Sequence, residues 1–297
     1  MDLKGRLYYK MKLIRETEIA IEHLFSEGKL RGTTHGSRGQ ESVPAVMAEF
    51  IDPTADFICG GHRSHGHLLS LFPEVKPLIA ELMGKTTGYV LGKGGSQHVQ
   101  YRNFFCNGIT GGMVPVAVGL AFAQKVKQAN NITISFFGDG AMNEGYVMEA
   151  FNLAAVYALP ILFVLENNSY AMSTSIQDSI KASFAERIKG FGIDYSYFLA
   201  NDVMVMYNNV KEIVDNTREM GKPHFLEFKT HRFSGHSKSD NRDYIPSDLD
   251  AYWIENDPIT KIEKSIDENP KKQIIQKIKN DINMAIEEAL NDQYPSI

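Results

Sequence analysis

Apolar residues Leu7, Met11, Ile14, Ile21 and Phe25 recur at spacings of three, four and seven. That is the stripe of an amphipathic helix, and Gly28 supplies its stop. From Asp56 onward the pattern changes. Short, nearly continuous apolar runs at Asp56–Cys59, Ile132–Phe137, Ile161–Leu165 and Phe225–Phe228 alternate with helical periodicity at Val116–Lys127, Tyr146–Tyr157 and Val203–Glu219. Runs without a polar face suit strands covered on both sides of a parallel sheet. The alternation therefore predicts an α/β fold with a central, mostly parallel sheet flanked by helices. From about Pro258 a Lys/Glu/Asp-rich helical period predicts a helical tail. With no internal repeat and no flexible linker, residues 1–297 are expected to form a single domain, with about 1–30 and about 258–297 as peripheral helical extensions.

Two stretches break the rhythm. Gly84–Gly112 is a glycine-rich segment too long for a simple connection, and such loops in compact domains are usually functional. His231–Tyr244, HRFSGHSKSDNRDY, is polar and lacks apolar period, which predicts a surface loop.

Composition narrows the classes. The charge is 31 basic minus 36 acidic residues, or −5, so the positive field of a dedicated nucleic-acid reader is missing. Apolar content of 43% and charged content of 23% are those of a globular protein. Cys59 and Cys106 stand apart without zinc or CxxC spacing, which excludes a disulfide scaffold. The opening MDLKGRLYYK has no signal-like apolar run and no stretch is of membrane-spanning length, so a reducing cytoplasmic setting without membrane contact is expected.

The strongest chemical signal follows the run ITISFF. Gly138-Asp139-Gly140 is followed, after 26 residues, by Asn167-Asn168 at the end of ILFVLE. Ligands of parallel sheets sit beyond the carboxyl ends of strands. Gly138 and Gly140 allow a sharp turn that brings backbone amides near an anion. Asp139 and Asn168 then arrive side by side as one carboxylate and one amide oxygen. This is the sparse oxygen set that Mg²⁺ uses when substrate phosphates fill its other positions. Either motif alone is ordinary turn punctuation; at the two ends of one β-α-β unit they point to a metal–diphosphate site.

This GDG–NN arrangement resembles the thiamine-diphosphate-binding motif. The wider sequence resembles the α subunit of the E1 component of 2-oxo-acid and acetoin dehydrogenases, from about Leu7 to Asp240. HGSRGQE (35–41), HRSHG (62–66), GKGGSQH (92–98), NGITGGMVP (107–115), GDGAMNEG (138–145), ENNSYAMST (166–174) and GHSKSD (235–240) carry the resemblance in order. It implies that Asp139, Asn168 and the Tyr170 carbonyl hold Mg²⁺. It implies that Gly140 and Ala141 amides and the Arg63 guanidinium, a planar charged fork suited to phosphate, meet the diphosphate. The Gly108 carbonyl would accept from the aminopyrimidine. Thr110 would wedge the two rings into a bent form, at a position where a larger aliphatic is commoner. His236, His35 and His62 would be catalytic. His236 is the first candidate, because a histidine titrating near neutrality suits proton transfer to a developing alkoxide. His236 would also approach the diphosphate.

His62, His65 and His67 are close enough in sequence to suggest a transition-metal site. On a turn with no carboxylate among them they read as polar loop residues, and His23, His224 and His231 read as structural. Pyruvate-type members usually carry Tyr at the position of His62 and His at the position of Ser234. These departures lean toward the acetoin branch. The carboxylate that thiamine enzymes place on the pyrimidine N1′ comes, in this family, from the β subunit. The 57 residues after Asp240 read as helices. The expectation is half of an α₂β₂ heterotetramer that decarboxylates a small 2-oxo acid or cleaves acetoin and passes the acyl unit to a lipoylated E2 acyltransferase. Phosphorylation of Ser237 or Ser239, known in mitochondrial relatives, is not expected here. The other readings are a biosynthetic acyl-transfer or carbon–carbon lyase step without a lipoyl core, a Mg²⁺-dependent phosphatase or hydrolase using Asp139 with Glu144, and a non-catalytic scaffold.

Overall fold

The computed structural model describes residues 1–237 and 240–296; Ser239 lies outside the described residues. In chain order the elements are α1 (Leu3–Ser26), α2 (Ser42–Met47), β1 (Phe57–Gly60), α3 (His65–Leu71), α4 (Val75–Leu82), β2 (Gln100–Tyr101), β3 (Phe104–Cys106), α5 (Met113–Val126) and β4 (Thr133–Gly138). A 3₁₀ turn (Asp139–Asn143) leads to α6 (Gly145–Val156), β5 (Ile161–Asn167), β6 (Tyr170–Ala171), β7 (Thr174–Ser175), α7 (Ile176–Ser179), α8 (Phe184–Lys189) and β8 (Asp194–Leu199). The chain continues through α9 (Val203–Met220), β9 (His224–Lys229), α10 (Ser247–Glu255), α11 (Pro258–Glu263) and α12 (Glu268–Asn291). The fold is α/β, with a central, mostly parallel sheet.

Seven strands form the sheet in the order β2-β3-β1-β4-β5-β9-β8. Every neighbouring pair is parallel except β2 with β3. Successive strand residues point to opposite faces, so each covered strand feeds two cores. Ile134, Phe136, Leu162, Val164, Leu226 and Phe228 face the layer that includes α1, α4, α9 and α12. Phe137, Ile161, Phe163, Leu165 and Phe225 face α5, α6 and α8. The four runs read from the sequence are β1, β4, β5 and β9. Three further strands of the sheet lack that signal: β2 and β3 are two and three residues long inside the glycine-rich stretch, and β8, DYSYFL, is half-exposed at the sheet edge. An edge strand needs only one apolar face.

Local chemistry fixes the helix ends. The Asp202 side chain caps α9 by accepting from the Met204 and Val205 amides, and Gly221 closes it in the left-handed region at φ 61°. α1 lies in the same apolar core as the sheet, with Leu7, Tyr8, Met11, Leu13 and Ile14 fully buried. Its buried Glu18 reaches toward α3, which places α1 in contact with the loops at the carboxyl edge of the sheet.

Candidate functional site

The carboxyl ends of β3, β1, β4, β5 and β9 open onto one cavity of about 380 Å³. Every residue singled out as a site candidate from the sequence lines it: His35, His62, Arg63, Gly108, Thr110, Asp139, Gly140, Ala141, Asn168, Tyr170 and His236. The fold brings together residues up to about 200 positions apart, as with His35 from the α1–α2 connection and His236 from the loop after β9.

At the floor, Asp139 is 1% exposed. Its Oδ1 accepts from the Gly140 amide at 2.9 Å, while Oδ2 is buried without a hydrogen-bond partner among the described residues. Burial pushes the Asp139 carboxyl upward; the Lys229 ammonium and the Gly140 amide pull the other way. Across from it, Asn168 is 8% exposed and its Oδ1 accepts from the Tyr170 amide at 3.2 Å. Ser169 makes the intervening turn at φ 73°. Tyr170 continues into the β6–β7 hairpin, and its ring packs on Tyr244 at 5.2 Å. A Cβ on Gly140 would stand 3.0 Å from the Ala171 Cβ, so the turn and the hairpin approach closely.

Arg63 follows β1. One terminal nitrogen donates to the Gly36 carbonyl at 2.6 Å, and the other to the His236 carbonyl at 3.1 Å and His236 Nδ1 at 3.2 Å. Burial, then repulsion by Arg232, pushes the guanidinium down to about 9, which leaves it positive at neutral pH. His35, His62 and His236 gather above it with ring centroids 4.8–5.6 Å apart. Burial first, then Arg63, pushes His62 down to about 2 and His236 down to about 4, and burial also lowers His35.

Proton bookkeeping assigns the two outer rings. His35 Nδ1 lies 2.7 Å from the His236 carbonyl, which can only accept. Neutral His35 therefore carries its proton on Nδ1 and offers an Nε2 lone pair. Arg63 can only donate, so His236 Nδ1 accepts and neutral His236 carries its proton on Nε2. One ring is an acceptor and the other a donor.

The neighbouring histidines differ from the sequence expectation. His65 and His67 are buried in α3, not polar loop residues, and each has a carboxylate partner from elsewhere in the chain. His65 Nδ1 meets Glu18 at 3.2 Å and its Nε2 accepts from Ser96 at 3.0 Å. His67 Nε2 meets Glu166 at 3.1 Å, and its ring stacks on Phe136 at 4.1 Å. Neither partner could be seen by local spacing, since Glu18 and Glu166 are 47 and 99 residues away. Glu166 and Phe136 line the cavity. The one available signal for Glu166 was its place beside Asn167 at a strand end. His231 opens the loop predicted to lie at the surface, yet it is 1% exposed and its neighbour Arg232 2%. His231 bonds Asp250 at 2.5 Å and stacks on Trp253.

The opposite rim is Asn107–Thr110. A Cβ on Gly108 would stand 2.3 Å from Gln97 Oε1, so this position excludes any larger residue without rearrangement. Thr110 is exposed; its carbonyl accepts from the Tyr146 hydroxyl, and Ile109 beside it is 62% exposed.

The chain matches the sequence model of the family described as "Dehydrogenase E1 component" over residues 9–297. It is 37% identical over 296 residues to the pyruvate dehydrogenase E1 component subunit alpha of Rickettsia bellii, covering 96% of this chain and 90% of that one. It is 36% identical over 289 residues to the Zymomonas mobilis protein of the same description, covering 95% and 81%. With the Rhizobium meliloti protein so described, identity is 34% over 307 residues, covering 100% and 87%. Agreement over nearly the whole length of these relatives, on a parallel sheet whose strand ends converge on one cavity, places the chain: it belongs to the dehydrogenase E1 component family, among its α subunits.

Proposed function

We propose that this chain binds the diphosphate end of thiamine diphosphate through Mg²⁺ and, with a β subunit, acts on a small 2-oxo acid such as pyruvate. The observation that carries the reading is the buried, unpartnered Oδ2 of Asp139 in a cavity shared with Asn168 and Arg63. A buried carboxylate oxygen without a donor is costly, and a cation with oxygen preference relieves that cost. Asp139, Asn168 and the Tyr170 carbonyl would hold the ion. Arg63 and the Gly140 and Ala141 amides would meet the diphosphate, and Gly108 and Thr110 the ring end. Thiamine diphosphate supplies, when bound, the electron sink that allows a carbon–carbon bond beside a carbonyl to break. The chain's own part is to hold that carbonyl against the His236 Nε2–H, which donates to the oxygen as charge develops there. A lipoylated E2 is the proposed acceptor of the acyl unit.

A protein partner is supported by the exposed apolar surface of α5 and α6, the two helices that run from the cavity toward the amino edge of the sheet. Val116, Phe122 and Val126 of α5, Leu153 and Val156 of α6 and the adjoining Tyr157 are 42–68% exposed. Such a patch on a soluble domain marks an interaction surface.

Acetoin cleavage is a second reading, favoured by the donor and acceptor pair. An α-hydroxyketone needs a donor at its carbonyl and an acceptor for its hydroxyl proton, and the His35 Nε2 lone pair is such an acceptor. Loss of carbon dioxide needs no base. Turnover of pyruvate against acetoin with an artificial electron acceptor, using the chain together with its co-purified β subunit, separates the two. Calorimetric titration of thiamine diphosphate with Mg²⁺ tests the common core: Asp139→Ala is expected to weaken binding at least about 100-fold, the size of losing a charged ligand. Unchanged affinity in a folded variant would falsify the site assignment.

A further inference from the structure

The glycine-rich stretch Gly84–Gly112 is built around one buried side chain. Glu81, in the last turn of α4, is 1% exposed. Its Oε2 accepts from the amides of Val90 and Gly92, each at 2.9 Å. Its Oε1 accepts from those of Gly94 at 2.7 Å and Gly95 at 3.1 Å. A carboxylate offers about four lone-pair sites, and these amides fill them. Backbone N–H groups of an irregular loop need partners once buried, and bonds to a carboxylate are the stronger kind. The chain wraps so closely that a Cβ on Gly88 would stand 2.4 Å from Glu81 Oε2. The start of the stretch is tied elsewhere: the Lys85 ammonium donates to the Leu290 and Asp292 carbonyls at 3.2 and 2.8 Å, and the Thr86 amide to the Gln293 carbonyl at 2.9 Å.

From this centre a tight turn carries the chain to the cavity. A Cβ on Gly94 would stand 2.0 Å from the His98 carbonyl oxygen, so residues 94–98 double back on themselves. Ser96 is 5% exposed and bonds His65 at 3.0 Å. Gly94 and Gly95 are therefore held by Glu81, and Ser96 by α3. The next residue, Gln97, lines the cavity and covers Gly108 so closely that the position admits no Cβ. A rigid support behind a contact residue fixes its geometry better than the contact residue can alone.

We infer that Glu81 is a positioning residue for cofactor binding: it folds the Val90–Gly95 loop and thereby sets Gln97 and Gly108 as the wall that meets the ring end of thiamine diphosphate. The inference rests on the reading of this cavity as the thiamine diphosphate site. Its consequence is selective. Among the described residues the hydrogen bonds of Glu81 go to the glycine-rich loop, and none goes to a residue read as meeting the diphosphate. Loss of Glu81 therefore strikes one end of the cofactor and spares the other, whereas loss of a residue that only stabilises the fold weakens both or neither.

The experiment titrates the full chain with its co-purified β subunit in a calorimeter at saturating Mg²⁺. The probes are thiamine diphosphate and, separately, inorganic pyrophosphate, which carries the anionic end alone. Glu81→Gln keeps the shape and turns one amide-facing oxygen into a donor. It is expected to weaken thiamine diphosphate about 10- to 100-fold while pyrophosphate stays within about two-fold of the parent. Amide hydrogen exchange is expected to quicken at residues 90–95 and to stay parental in the Asp139–Asn143 turn. Unchanged thiamine diphosphate affinity in the folded variant overturns the inference. Equal weakening of both ligands overturns it too, by marking Glu81 as a stabiliser of the fold alone. If Glu81→Gln does not fold, Glu81→Asp decides, since it keeps the charge but withdraws the oxygens by one methylene. A selective loss of about three- to ten-fold for thiamine diphosphate supports the role; an unselective loss, no loss, or failure of this variant also to fold sinks it. Asp139→Ala in the same assay separates the two levels, because retained affinity for pyrophosphate there refutes the cofactor-site reading itself, whatever Glu81 does.

Discussion

Among the described residues no hydrogen bond offsets the burial of His62 beside His35, His236 and Arg63, and its folded-state pKa is pushed down to about 2. The unfolded chain titrates near the ordinary 6.5, so below that pH the unfolded state binds a proton that the folded state refuses. Stability is then present in full above about 6.5 and falls as pH drops toward the folded value. His236, at about 4, acts in the same sense over a narrower window. In denaturant titrations between pH 7 and 5, His62→Gln should flatten the loss of stability relative to the parent by up to about 1.4 kcal/mol per pH unit. Equal pH slopes for parent and variant would mean that the ring is solvated or paired in the folded chain. Among the histidines, the sequence placed His35, His62 and His236 at one site through their motifs. The opposite tautomers of His35 and His236 come from a single carbonyl and a guanidinium that only the fold positions.

At the scale of elements, α6 is the strut between the GDG turn and the NN turn, and its attachment to the sheet is aromatic. The Phe151 ring lies 4.7 Å from Phe163, 5.7 Å from Phe225, and 6.1 Å from both Phe137 and Phe191. Phe151→Ala is expected to cost about 3–5 kcal/mol through lost burial and the cavity left behind, read as a lower denaturant midpoint. Since α6 starts from the loop bearing Asp139, thiamine diphosphate with Mg²⁺ should restore part of that loss, by ligand linkage to the native state. A loss under about 1 kcal/mol would show that the layer repacks. The helical pattern of α6 and the apolar runs of β4, β5 and β9 were legible because each is long and periodic. β3 and β8 were not, since three residues carry no period and an edge strand is only half apolar.

For the whole molecule, the exposed apolar surface of α5 and α6 predicts association. Val156→Glu with Val126→Glu places charge on two of its most exposed residues, at 68% and 66%. The double variant is expected to melt within about 3 °C of the parent, as surface substitutions usually do, yet to elute apart from the β subunit in size-exclusion chromatography. Co-elution at parental strength would place the interface elsewhere. Among the described residues no helix is long and apolar enough to cross a membrane, and the two cysteines are free and buried on adjacent strands.

The sequence by itself determined the α/β class, four central strands and the strand-end placement of Asp139 and Asn168, because hydrophobic period and short glycine turns are local properties. Tertiary structure alone decided the supports of the site. His65 meets Glu18 because α1 packs on α3, while His67 meets Glu166 and Lys229 meets Ser169 because β1, β4, β5 and β9, distant in sequence, lie side by side in the sheet. Burial likewise lowers the pKa values of His62 and His236, and burial is a property of the packed molecule that no window of sequence contains.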